Sequence, residues 1–121
     1  LIANLVQSNT FLGSAFDEFD AKGEQAVILT ALPLYHIFSF TVCGMFGIYR
    51  GCVCLLVPNP RDLDSLMKAY KGNPPAFFPA VNTLFNALAN NEEFKAMDHS
   101  KLQMSMVMAC LRRHPWLLPI R

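Results

Sequence analysis

The sequence predicts an α/β domain: a mostly parallel sheet with crossover helices. Apolar runs of strand length alternate with segments of helical period along the whole chain. The runs are apolar on both faces, as strands covered by helices on each side are. Prolines stand where the runs stop, and proline cannot donate to a sheet ladder. The resulting order, helix and strand in strict alternation, requires right-handed crossover connections.

Each element follows from local pattern. Leu1, Ile2, Leu5, Val6, Leu12 and Phe16 recur at near-helical spacing with polar residues between them, which predicts an amphipathic helix. Residues 17–24 are charged, contain a glycine and lack an apolar stripe, so they read as a solvated connection. Residues 26–30 are a strand, and Pro33 closes it. Phe38, Phe40, Val42, Cys43, Met45, Phe46, Ile48 and Tyr49 leave no polar helical face, which predicts a helix buried nearly all round. Gly44 and Gly47 each cost about 1 kcal/mol of helix propensity, which implies a close backbone approach or room for a ligand. Arg50 and Gly51 are stop signals.

Residues 52–57 form a second strand, halted at Pro58. Asn59 followed by Pro60 has the pattern of a cap with proline in the first helical position. Leu63, Leu66, Met67 and Tyr70 then mark one helical face, and Gly72-Asn73-Pro74-Pro75 stops it. Residues 76–78 are a short third strand ending at Pro79. Asn82 or Thr83 caps the next helix, with Leu84, Phe85 and Leu88 inward. A short helical piece at 92–97 and a turn at Asp98-His99-Ser100 lead to Leu102, Met104, Met106 and Met108, whose alternation predicts a fourth strand.

Composition narrows the function. A chain of 121 residues is one domain at most, either a piece of something larger or a binding module. Apolar residues at 53% against 16% charged are rich for a lone soluble domain, so part of that surface calls for a partner. A net charge of +1 with no Lys/Arg cluster ahead of the tail gives no footprint for nucleic acid. The apolar run from Ile37 to Tyr49 is shorter than a membrane span, and no charged, then apolar, then small-residue leader opens the sequence. Cys43, Cys52, Cys54 and Cys110 lack zinc-ligand spacing and read as buried reduced thiols. No Gly-rich phosphate-binding motif is present.

In open α/β sheets, ligands sit at loops leaving the carboxyl ends of strands. Pro33-Leu34-Tyr35-His36-Ile37-Phe38 is such a loop, and it resembles a motif of the adenylate-forming superfamily. Three further stretches, 55–62, 81–88 and 90–94, agree in order and spacing with bacterial long-chain fatty-acid CoA ligases, and Asn4 to Asn9 fits the helix after that family's phosphate loop. The resemblance spans residues 1–106. It implies a partial AMP-binding domain, a piece of the large N-terminal domain of an enzyme that converts a long-chain fatty acid and ATP to an acyl adenylate and then transfers the acyl group to CoA.

By the same resemblance, Tyr35, His36 and Phe38 line the acyl and adenylate pocket together with Val81, Asn82, Thr83 and Phe85. His36 is a positioning group rather than a base; no residue of the chain is assigned a catalytic or metal-ligating role. Phe85 reads equally as core or as the aromatic that closes an acyl tunnel, whose other wall would be the helix from Phe38 to Phe46. Asn82 and Thr83 read as a cap that can also face a phosphate or carboxylate. ATP, Mg2+ and CoA belong to the full-length enzyme, and none is expected to bind this chain tightly. The implied partner is a fatty acid, with no nucleic acid; the implied location is the cytoplasm, with peripheral association at the inner face of the membrane. An aryl- or medium-chain-CoA ligase, or a non-catalytic module for small apolar ligands, are the alternative readings.

The resemblance fails after Met106, so residues 107–121 are expected to be a divergent, disordered tail. One codon choice for Val107 to Leu111, read one base out of register, spells Gly-Asp-Gly-Met-Pro, close to the family's continuation. A single-base frameshift would account for the tail, and the gene sequence tests it.

Overall fold

Four short parallel strands build one sheet in the order β2-β1-β3-β4, in a computed structural model that describes residues 1–108. They are β1 (Val27–Thr30), β2 (Val53–Leu56), β3 (Phe77–Val81) and β4 (Met104–Met108). Val27 to Thr30 lie opposite Val53 to Leu56, and Phe77 to Val81 lie opposite Met104 to Met108. Ile28 lies opposite Phe77. The α/β class and parallel pairing are therefore as the pattern of apolar runs implies.

Successive strand residues point to opposite faces, and this parity divides the core. Ile28 and Phe77 face one side, where they meet Leu12, Phe16, Phe19, Val42, Cys43 and Phe46. Leu29, Phe78 and Ala80 face the other, against Leu66, Tyr70, Leu84 and Leu88. Helices α1 (Ile2–Leu12), α2 (Asp17–Lys22) and the helix after β1 cover the first face. The second is covered by α5 (Leu63–Gly72), α6 (Asn82–Ala89) and α7 (Glu92–Lys95).

Several local expectations need correction. Residues 17–22 are helical rather than a solvated connection, because Phe19 is buried and Arg50 holds this segment from across the fold. The Arg50 guanidinium donates to Asp20 Oδ2 at 2.6 Å, Asp17 Oδ1 at 3.1 Å, the Gly13 carbonyl and Asn9 Oδ1. The cap of α5 is Asp62, not Asn59. Its carboxylate accepts from the Ser65 N–H at 3.2 Å and hydroxyl at 2.7 Å, bonds that hold its pKa below the usual carboxylate range. A carboxylate also complements the helix dipole there, while Asn59 merely closes the preceding turn onto the Arg61 N–H.

The third strand runs through Pro79 to Val81 rather than ending at the proline. The fourth runs through Met108, so Val107 and Met108 belong to the sheet and not to a tail. The rest of the expected tail, with its frameshift reading and Cys110, lies outside the described residues.

The helix after β1 has three consecutive parts: α3 (Ile37–Ser39), a π-helical stretch (Phe40–Met45) and α4 (Phe46–Tyr49). It is not buried all round, since Ile37, Phe40, Ile48 and Tyr49 are exposed. It ends as predicted. Gly51 has φ +67°, its N–H reaches the Ile48 carbonyl, and the Cys52 N–H reaches Gly47. That pair of bonds satisfies the last carbonyls and requires the left-handed residue that glycine supplies.

On the second face, Tyr70 is buried and its hydroxyl lies 2.7 Å from His99 Nδ1, while His99 Nε2 lies 3.0 Å from the Phe94 carbonyl. A carbonyl only accepts, so Nε2 carries the proton and Nδ1 accepts from the phenol. Burial, and then the charge of Asp98, push the Tyr70 hydroxyl up to about 12. The folded state therefore keeps its phenol protonated above the unfolded value near 10, and stability falls as pH rises from about 10 to 12. Tyr70→Phe is expected to cost about 1 kcal/mol at neutral pH and to abolish this component of the alkaline loss, as measured by urea unfolding at pH 8 and pH 11.

Candidate functional site

Because all strands run the same way, their carboxyl ends share one rim. β1 leaves through Ala31 to His36, β2 through Val57 to Pro60, and β3 passes directly into α6 at Asn82. β1 lies between β2 and β3, so its exit neighbours both.

Between the β1 and β2 exits lies a cavity of about 450 Å³, walled by residues 30–35 and by Leu56, Val57, Pro58 and Pro60. Its wall is largely apolar. Thr30 contributes a buried hydroxyl with no hydrogen-bond partner among the described residues. Tyr35 stands at the opening, almost fully exposed at 92%. Of the residues singled out from sequence, Tyr35 alone lines this cavity.

His36 caps α3. Its backbone is extended, its Nδ1 accepts from the Phe38 N–H at 3.3 Å, and the ring is exposed at the rim. The His36 N–H donates to the Pro33 carbonyl at 3.1 Å and the Phe40 N–H to the His36 carbonyl at 2.9 Å. The imidazole is thus held by backbone on both sides of its own residue.

Asn82 and Thr83 are exposed in the first turn of α6, on the same rim one strand away. Neither caps the helix as the sequence suggests. The cap position is Val81, which has no side chain able to accept, so no side chain takes the turn's amide hydrogens. Uncapped N–H groups at a helix start, with the positive end of its dipole, suit a phosphate or carboxylate.

Phe38 and Phe85 are not brought together. Phe38 packs on the face of Phe16 and Phe46, whereas Phe85 packs on Phe78, with ring centroids 5.2 Å apart, on the other face. A single tunnel with the α3 helix on one wall and Val81 to Phe85 on the other is therefore not formed. The sheet stands between them because β3 sends Phe77 to one side and Phe78 to the other.

The rim also includes residues not assigned to the pocket from sequence: Thr30, Leu56, Val57, Pro58 and Pro60. Pro58 stops β2 as Pro33 stops β1, which was the available signal. That the two stops are neighbours depends on strand order. Among the described residues no cluster of His, Cys, Asp or Glu could hold a metal, and no helix is long and apolar enough to cross a membrane. Cys43, Cys52 and Cys54 are free, and burial pushes all three thiols up, Cys52 to about 11. Such thiols are poor nucleophiles at neutral pH.

The model of the AMP-binding enzyme family matches residues 2–115. The chain is 43% identical over 105 residues to a long-chain-fatty-acid–CoA ligase of Escherichia coli O6:H1, covering 87% of this chain and 18% of that protein. It is 48% identical over 80 residues to the ligase of the same name from Yersinia pestis, covering 66% and 14%. With that of Haemophilus influenzae it shares 37% over 106 residues, covering 88% and 18%. The chain thus spans under a fifth of the length of these relatives.

Proposed function

The chain belongs to the AMP-binding enzyme family, and from that membership we propose that it is a segment of a long-chain fatty-acid CoA ligase. The full-length enzyme would join a fatty carboxylate to the AMP moiety of ATP, release pyrophosphate, and then pass the acyl group to the thiol of CoA. The observation that carries this reading is the 43% identity to a ligase of that name across 87% of the chain.

In this reading the shared rim is where the acyl adenylate forms. Tyr35 and His36 stand at the end of β1, and the uncapped turn of Asn82 and Thr83 stands at the end of β3. The two exits offer an imidazole and backbone N–H groups to carboxylate or phosphate oxygens. Phe38 and the Val81–Phe85 pair lie on opposite faces of the sheet, so the acyl chain is assigned to the apolar walls of the cavity between the β1 and β2 exits. Each methylene buried against such walls contributes about 0.8 kcal/mol, so an apolar pocket favours a long acyl chain over acetate.

The described residues do not fit Mg2+, and the start of α6 alone does not make a site for the whole ATP triphosphate. No metal-ligand cluster exists among the described residues, and the sequence has no Gly-rich loop with a lysine. Those groups, and CoA, are assigned to parts of the longer enzyme, and the chain alone is inactive. Its place is the cytoplasm, at the inner face of the membrane where fatty acids arrive.

The test is a segment exchange. Residues 1–106 replace the matching stretch of the Escherichia coli relative, and palmitate-dependent pyrophosphate release is measured. The exchanged enzyme is expected to activate palmitate, and His36→Ala to lower its kcat/KM for palmitate about tenfold by misplacing the acyl carboxylate. Activation of coumarate or benzoate in preference to palmitate would reject the fatty-acid assignment.

A further inference from the structure

Ser39 is fully buried, and its hydroxyl departs from the usual helical habit of bonding the carbonyl four residues back. It reaches seven residues up the chain and donates to the Leu32 carbonyl at 3.2 Å. Leu32 is itself buried and lies beyond the last residue of β1. Buried carbonyls require partners, and this one receives the serine. The bond closes a ring of chain from Leu32 to Ser39, and the residues it holds outward, Pro33 to Ile37, are all exposed.

Inside that ring the Phe38 N–H donates to His36 Nδ1. A nitrogen that accepts carries no proton, so the neutral ring bears its hydrogen on Nε2. We propose that Ser39 is the positioning residue of the rim. By tying α3 to Leu32 it fixes the Pro33–His36 loop and keeps His36 an Nε2–H donor toward a carboxyl or acyl oxygen of the substrate. The identity of that oxygen rests on the ligase reading; the geometry does not.

The test uses the full 121-residue chain with 15N-labelled histidine, as Ser39→Ala and Ser39→Thr. In Ser39→Ala the amides of His36 and Phe40 are expected to exchange about tenfold faster relative to those of Val53 and Val57, whose bonds to Ala26 and Thr30 lie within the sheet. The His36 ring nitrogens are expected to shift from the Nε2–H pattern toward a mixture of tautomers. Ser39→Thr, which keeps a hydroxyl, is expected to restore both. Because loop exchange is read against sheet exchange within each variant, a destabilised variant still reports. Unchanged ring signals, or loop and sheet exchange rising together, would overturn the proposal. The palmitate assay separates the two readings: if His36→Ala leaves it untouched while Ser39→Ala still moves the tautomer, the ligase role of His36 fails and the positioning role stands.

Discussion

Phe16→Ala is expected to lower the unfolding free energy by about 3–5 kcal/mol, a large part of the 5–15 kcal/mol typical of a whole domain. Phe16 is 1% exposed and sits between three parts of the chain. Its ring meets Phe46 of α4 edge-on at 5.3 Å and Phe77 of β3 at 6.1 Å. Truncation would lose the buried ring area, both edge-to-face contacts, and the anchor of the segment before β1. The lining is a helix and a sheet already fixed by their own hydrogen bonds, so collapse into the space is restricted. Urea unfolding monitored by circular dichroism measures the loss. Phe11, 75% exposed, supplies the comparison, since Phe11→Ala should change stability by less than about 0.5 kcal/mol. A Phe16→Ala loss below about 1 kcal/mol would mean that α1 and α2 do not pack on this face in solution.

The contrast between Phe16 and Phe11 shows what the sequence carried and what it did not. Near-helical spacing placed Leu1, Ile2, Leu5, Val6, Leu12 and Phe16 on one stripe, but only Leu12 and Phe16 are fully buried, with Leu5 partly so. The helix tightens into a 3₁₀ turn at Gly13–Ala15, which resets the phase, and a single period cannot report that. Strands were legible because burial on both faces leaves continuous apolar runs. Helix α2 was not, because its one buried side chain, Phe19, makes no stripe. Its other support is Arg50, 30 and 33 residues away from Asp20 and Asp17 in sequence. Arg50 looked like a stop signal, and only the fold turns it into a clamp.

The placement of the candidate residues was legible to the same depth. Proline stops identified the exits of β1 and β2 but not that of β3, which runs through Pro79, and parallel order put Tyr35, His36, Asn82 and Thr83 on one rim. Which exits are neighbours follows from the strand order β2-β1-β3-β4, which local patterns do not encode. Hence the cavity between the β1 and β2 exits went unread. The opposition of Phe38 and Phe85 went unread for a related reason: it depends on the parity of Phe77 and Phe78 in β3. An error of one residue in a strand moves every side chain to the other face.

Gly47→Ala is the second large effect, expected to cost about 1–3 kcal/mol as overpacking, even though alanine gains about 1 kcal/mol of helix propensity. A Cβ at Gly47 would stand 2.5 Å from Cys54 Sγ and 3.3 Å from Ile28 Cδ1. The sulfur is not free to swing aside, since its S–H donates to the Cys43 carbonyl at 3.1 Å. Glycine here is the spacer that lets α4 lie directly on β1 and β2. Gly44 is different: a Cβ there meets only Leu34 Cδ2 at 3.9 Å, so Gly44→Ala should be tolerated within about 1 kcal/mol. Combining Gly47→Ala with Cys54→Ala removes the obstructing atom, and the pair should recover at least about 1 kcal/mol of the loss, a coupling expected only for residues in contact. Urea unfolding of the four chains measures it. The coupling also reaches the rim, because the helix raised off the sheet by a Cβ at residue 47 is the one whose first turn carries Ser39 and whose cap is His36. A Gly47→Ala chain as stable as the parent, with no coupling to Cys54, would show that this helix does not approach the sheet so closely.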